Sequence, residues 1–404
     1  MSKDINFIGQ PIFTQILKYI DKGLVHQIAQ KHKSDRYIKK FNTYHHLVVM
    51  LYAALKNLNS IREVTIGMLA DSIKIKHLGL EHMPKRSTLS DANKRRKSKV
   101  FESIYLAIYR KNRKFLSDSR LSKKDMQRLF MIDSTTISLF KAILKTVGRN
   151  PVNGKKKGGI KAHVLINARE NVPSLIRYSS AARHDRYFLQ DIKLAEGSIL
   201  VFDRAYNDYN QYERLDAKGI IFVTRQKKNA VYREGKSFPL PSEADSGIRE
   251  DKEIFLSYNK DGEKRELKLR RITYYDKQRD RTFVFITNSF DFDAQKIALF
   301  YKKRWQIETL FKQLKQNFPL KYFLGDNQNA IEIQIWVSMI ANLLVTLVKN
   351  RIKRSWAFSN LVSILRMQLM SYINLYSFLE DPEKSWKEWI STYKKTYENS
   401  LFSP

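Results

Sequence analysis

"GSILVFDRAYND", residues 197–208, decides how the middle of this chain is read. Ile199, Leu200, Val201 and Phe202 form an unbroken apolar run that ends on Asp203. Such a run reads as a central strand covered on both faces. A carboxylate at the end of a buried strand is costly unless it is paired or holds a metal ion.

The flanking segments extend the pattern. "RLFMIDSTTISLF" (128–140) is rich in β-branched and aromatic residues and reads as a strand carrying Asp133. "GIKAHVLINAR" (159–169) and "VPSLIRYSSAA" (172–182) read as two more strands, followed by a short helix, "DRYFLQDIKLA". Beyond Asp203, "YNQYERLDAKG" reads as a helix closed by Gly219. "IIFVTRQK" (220–227) returns to strand. An antiparallel meander leading into alternating strands and helices predicts an α/β fold with a ribonuclease-H-like core.

That core is expected over residues 123–226 and 282–350. Residues 227–281 are polar and strand-forming, with a hairpin signal at Asp261-Gly262, and predict a β-rich insertion. "DAQKIALFYKKRWQIETLFKQLKQNF" (293–318) predicts one long helix. Residues 1–122 read as a helical domain and 351–404 as a helical C-terminal region. In the first of these, Asn42 or Thr43 would cap one helix, and Ser60 with Glu63 has capping-box spacing. "STLSDANKRR" (87–96) reads as a short helix begun by Ser87 or Thr88. Two readings stay open for it. It is the reading helix of a DNA-binding domain, with Arg86, Lys94, Arg95 and Arg96 facing DNA, or it is a solvated basic helix.

The 404 residues carry a formal charge of +34, and 43% are hydrophobic. A folded chain with that excess suits a polyanionic partner, nucleic acid first and an anionic membrane surface second. The membrane reading is weak: the run "IWVSMIANLLVTLV" (335–348) is shorter than the roughly 20 residues of a spanning helix. It reads as a buried core helix. The absence of cysteine excludes disulfides, thiolate zinc sites and thiol catalysis, and fits a reducing cytoplasm. His45 and His46 lack partners for a metal site and read as surface or helix positions.

Asp133 or Asp203 alone could equally be a structural hydrogen-bond acceptor. Two carboxylates in neighbouring core strands point instead to a shared divalent ion. Oxygen ligands without Cys or His suit Mg2+ or Mn2+. Glu308 is the candidate third ligand. At helical spacing, Ile307, Leu310, Phe311 and Leu314 share one arc, and Tyr301, Arg304, Glu308 and Lys315 line an adjoining stripe. A bare Arg304–Glu308 ion pair, worth a few tenths of a kcal/mol, would not explain the rest of that stripe.

The spacing of Tyr301, Arg304, Glu308 and Lys315 resembles the Y-R-E-K signature of DDE transposases of the insertion-sequence-four type. "MIDSTTISL" is similar to that family's first-Asp block, "VFDRAYNDY" to its second, and "KKKGGIKAH" (155–163) to a segment between them. The resemblance spans about residues 125–350. It implies cut-and-paste DNA transposition on double-stranded DNA, at the terminal inverted repeats of a transposon and in a target. Asp133, Asp203 and Glu308 would hold two divalent ions. One would activate water and later the freed 3′-hydroxyl, and the other would stabilise the leaving oxygen. Arg304 and Lys315 would grip phosphates, and Tyr301 would place the flanking nucleotide. A dimer in the DNA complex and a nucleoid-associated cytoplasmic enzyme are also implied. In the basic, Gly-rich stretch 148–163, Lys155, Lys156, Lys157 and Lys161 are expected to meet the DNA backbone, the alternative being an ordinary exposed hairpin. Two other functions stay open: a metal-dependent nuclease of ribonuclease-H fold that cuts without joining, and an inactive DNA-binding protein.

Overall fold

A computed structural model describes residues 9–116, 124–138, 159–181, 183–241, 246–384, 386–387 and 390–391. The chain divides into two units, one within Leu116–Lys312 and the other within Met1–Phe115 and Gln313–Pro404.

The first unit is built on nine strands: β1 Leu129–Ser138, β2 Gly159–Asn167, β3 Pro173–Ser180, β4 Ile199–Phe202, β5 Ile221–Arg225, β6 Tyr232–Ser237, β7 Ile248–Lys260, β8 Glu263–Asp276 and β9 Arg281–Thr287. They form one sheet in the order β3-β2-β1-β4-β5-β9-β8-β7-β6. β1, β4 and β5 run parallel at its centre, and every other pairing is antiparallel. The central position explains the unbroken apolar run: all four side chains of β4 are fully buried, as parallel strands with both faces covered require. Of these, Phe202 stacks on Phe222, which stacks on Tyr212, while Phe202 and Tyr212 meet at a tilt.

The strand-rich stretch after residue 227 belongs to the same sheet, because β8 pairs along β9. Its β7–β8 hairpin turns at Asp261-Gly262, both with positive φ (52° and 86°), the turn that this dipeptide favours. Two expected helices differ in detail. Residues 185–191 form a 3-10 run, with Ile192 N bonded to Leu189 O. The long helix expected over 293–318 is two, Ala294–Lys303 and Trp305–Asn317. The ladder tightens there to i−3 bonds, Arg304 N to Tyr301 O and Ile307 N to Arg304 O, which interrupts the α-helix at Arg304.

The second unit is helical. Gln328–Lys349 is its central helix and packs against Thr43–Lys56 and Ser98–Asn112. It is long and apolar enough to cross a membrane, yet 89% of its most apolar window is buried in the protein, as expected of a core helix. Asn42 caps Thr43–Lys56 by accepting from His45 N. Ser60 accepts from Glu63 N, while Glu63 reaches back to Asn59 N. His46 is fully buried, against the surface alternative, and bonds Asn93 through Nε2. The basic helix starts at Arg86, one residue before the expected cap, and no side chain caps it.

Candidate active site

The parallel register sets the site. Ile132 on β1 lies beside Phe202 on β4, and Phe202 beside Thr224 on β5. The residue that follows each of these three in the chain is Asp133, Asp203 and Arg225. Two carboxylates and a guanidinium therefore stand in one row, where the shared ladder of the three strands ends. Crevices at the carboxyl ends of parallel strands are where open α/β sheets bind ligands.

Each carboxylate is already engaged. Asp133 Oδ1 accepts from Ser134 N at 2.8 Å, and Oδ2 accepts from Arg304 Nη1 at 2.9 Å. Arg304 Nη2 donates to Glu308 Oε1, so one guanidinium bridges the strand acid and the helix acid. Asp203 begins the 3-10 turn Arg204–Tyr206 and accepts from Ala205 N. Its Oδ2 accepts from Arg225 Nη2 at 2.7 Å and from the Tyr301 hydroxyl at 3.5 Å. The break at Arg304 sets this residue between Tyr301, whose ring it faces, and Glu308.

Burial pushes the Asp133 carboxyl up to about 6. Glu308 and Asp203 add to the rise, and Arg304 and the Ser134 N–H oppose it. Burial also acts to raise Asp203, but the Ala205 N–H and Arg225 outweigh it and hold this carboxyl below the ordinary range. Burial raises the Tyr301 hydroxyl as well. Arg304 is held firmly charged: burial disfavours its charge, and Tyr301, Asp133 and Glu308 more than offset that.

The structure thus brings together Asp133, Asp203, Tyr301, Arg304 and Glu308. Lys315, two turns along the helix, is exposed and has no hydrogen-bond or ion-pair partner among the described residues. Partial desolvation shifts its ammonium down, although the residue as a whole is exposed. Arg86, Lys94 and Arg95 are exposed on their helix. Arg96 is not available to DNA: it is buried, pairs with Asp35 at 3.3 Å and donates to the Phe41 carbonyl. The Asp35 carboxylate and the Phe41 carbonyl hold it inward. Lys161 likewise does not face solvent; its ammonium pairs with Asp185 Oδ1 at 2.9 Å, with both side chains only 15% exposed. Lys155, Lys156 and Lys157 lie outside the described residues.

Sequence reasoning missed two features. Arg225 closes an apolar run as Asp203 does, and that shared position was the available signal. Asp185 is the hub of a second group: it accepts from Ser134 Oγ and pairs with Lys161, and His163 Nδ1 lies 3.7 Å away. Nothing in the local sequence marks it.

Among the described residues no three His, Cys, Asp or Glu side chains form a ready metal cage. The oxygens that would coordinate are held by Arg304 and Arg225. The donor chemistry still fits a hard divalent ion, since the converging groups are carboxylates and positive charge already sits between Asp133 and Glu308.

Residues 124–344 match the family model described as a transposase DDE domain, and residues 8–81 match a domain of unknown function, DUF4372. The chain is 30% identical over 264 residues to a protein of Sinorhizobium fredii named as a transposase, y4zB, covering 65% of this chain and 71% of that one. It is 27% identical to one named as the transposase for insertion sequence element IS5377 of Geobacillus stearothermophilus, over 58% and 60% of the two chains. A solved piggyBac transposase synaptic complex with hairpin DNA aligns over 96% of this chain and 86% of that chain, at a TM-score of 0.40 and 13% identity. At that score the likeness carries no argument. With the family model covering more than half its length, the chain belongs to the transposase DDE domain family and is an enzyme of DNA transposition.

Proposed function

We propose that Asp133, Asp203 and Glu308 are the catalytic carboxylates of a cut-and-paste transposase of the insertion-sequence-four type, with Tyr301, Arg304, Glu308 and Lys315 as its Y-R-E-K signature. The observation that supports this most is the row Asp133–Asp203 at the ends of adjacent parallel strands, tied through Arg304 to Glu308. The centre of the sheet, with its antiparallel β1–β2–β3 edge and parallel β1, β4 and β5, is read as a ribonuclease-H-like core.

Enzymes of this family use divalent metal ions. The oxygens of Asp133, Asp203 and Glu308 would hold two, Mg2+ or Mn2+, which supply activation of the attacking hydroxyl and neutralisation of the leaving oxygen. The protein's own groups do the rest. Arg304, firmly charged, turns from the carboxylates to the phosphate being cut, where a cation offsets developing charge. Lys315 adds a further phosphate contact. The Tyr301 hydroxyl, beside Asp203, places the flanking nucleotide. Arg225 holds Asp203 ionised in its row.

The substrates are double-stranded DNA at terminal inverted repeats and a target duplex, and two copies of the chain act together on the paired ends. The helices of residues 1–122 read DNA, with Arg86, Lys94 and Arg95 toward it, and the enzyme works at the nucleoid. The nuclease alternative has no observation in its favour here. The test is Glu308→Gln with Mg2+ present: end cleavage and strand transfer vanish while duplex binding stays within about twofold. Cleavage that persists would overturn the assignment. Wild-type cleavage without joined 3′ ends would support the nuclease.

A further inference from the structure

Beside the acid row, on the side of Arg225, a cleft of about 290 Å³ opens between the end of β5, the following loop and the start of β9. Its lining includes Arg204, Arg225, Lys227, Lys228, Arg271 and Arg281, and no carboxylate. Cations on this sheet are mostly neutralised. Arg233 pairs with Glu266, Lys252 with Glu234, Arg265 with Glu213 and Lys268 with Glu253. In the cleft, Arg271 is held by Glu250 and Arg225 by Asp203. Arg204, Lys227, Lys228 and Arg281 have no carboxylate partner among the described residues, and all four are exposed. Four unpaired cations around one concavity repel one another and are disfavoured unless an anion joins them.

We propose that this cleft binds the phosphodiester backbone of a DNA strand and feeds it to Asp203. Arg225 lines the cleft and bonds Asp203 at 2.7 Å, so a strand lying in it arrives at the acid row without leaving positive surface. Arg204 stands one residue past Asp203 and Arg281 opens β9. Two or three consecutive phosphates would engage these groups. The assignment rests on the transposase reading above, and it names which surface of the unit carries the strand.

The test measures binding without metal, so that cleavage plays no part. Full-length protein is titrated with a fluorescein-labelled 30-base-pair duplex across a salt series. Arg204→Gln/Lys228→Gln/Arg281→Gln is compared with Lys193→Gln/Lys218→Gln/Lys264→Gln, a variant with equal charge loss at exposed sites outside the cleft. Losing a phosphate contact lowers the salt slope by about 0.9. The cleft variant is expected to lose about 2 or more from the slope and at least tenfold in affinity at low salt, and the control less than half of either. Equal losses in the two variants would overturn the proposal, leaving only the general positive field. So would a cleft variant that binds duplex as the wild type does. ATP included as competitor separates a nucleotide site: if ATP binding needs the cleft cations and duplex binding does not, the backbone assignment falls. Wild type that binds no duplex at all would instead sink the transposase reading itself.

Discussion

Arg304 holds Asp133 and Glu308 with the two ends of one guanidinium, Nη1 on the strand carboxylate at 2.9 Å and Nη2 on the helix carboxylate. The pair is 171 residues apart in the first case and one helical turn in the second. A planar fork suits this double task, and a lysine ammonium would not reproduce it. Three-quarters or more of the Arg304 and Asp133 side chains is buried, so the contacts act in a low-dielectric setting.

Replacing Arg304 by Lys should therefore uncouple the acids. We expect DNA cleavage to fall at least 100-fold, and the protein to lose about 1–3 kcal/mol, because buried acceptors lose their partner. The Asp133 carboxyl should move further up, since Arg304 now opposes its rise. Urea unfolding and carboxyl 13C titration check both. A variant with unchanged Asp133 titration would show that the bridge is incidental.

Asp133 makes stability depend on pH. Its carboxyl, ordinarily near 3.8, is raised to about 6 by burial first. The folded value lies above the unfolded one, so the stability it contributes is complete below about pH 3.8 and is lost as pH rises through about 6. A shift of roughly two units corresponds to about 3 kcal/mol. Asp133→Asn keeps an oxygen for Arg304 and abolishes the titration. In metal-free buffer it should be more stable than wild type at pH 8, by about 1–3 kcal/mol, with the gain gone near pH 4. It should not cut DNA. Equal stability at both pH values would refute the shift.

Arg225 should matter through Asp203. Arg225→Gln removes the 2.7 Å bond that helps hold the Asp203 carboxyl down. The acid limb of the cleavage pH profile is expected to move to higher pH, with kcat falling more than KM rises. Uniform loss of binding with an unmoved profile would mean that Arg225 acts on DNA alone.

The Lys161 pair with Asp185 makes the opposite claim to a DNA contact. Lys161→Gln should leave the salt slope of duplex binding unchanged. Burial first, and Lys161 among its neighbours, lowers the His163 imidazole to about 4. The variant should therefore raise it, which ring-proton titration reads. Because the folded value lies below the unfolded one, the stability from neutral His163 is present above about pH 6.5 and is lost as pH falls through about 4. A slope reduced by about 0.9 would return Lys161 to the phosphate contacts.

Local pattern carried most of the central architecture. The apolar run of β4, the β-branched β1 and the Asp261-Gly262 turn are decided by side-chain burial and backbone sterics within a few residues, so they are legible in the sequence. The stripe Tyr301, Arg304 and Glu308 was legible for the same reason, as helical spacing survives a one-residue break. What the strand acids touch across the chain was not. Arg225 clamps Asp203 because β4 and β5 pair in parallel register, and Asp185 reaches Lys161 across 24 residues. Arg96 and Lys161 carry charges that composition assigns to solvent, yet packing turns both inward onto acids. Sequence by itself determined which residues are acidic, apolar or helical. Beyond the local Arg304–Glu308 pair, tertiary structure decided which charges face one another, because an ion pair depends on distance and burial, and between distant residues both arise only when remote parts of the chain lie side by side.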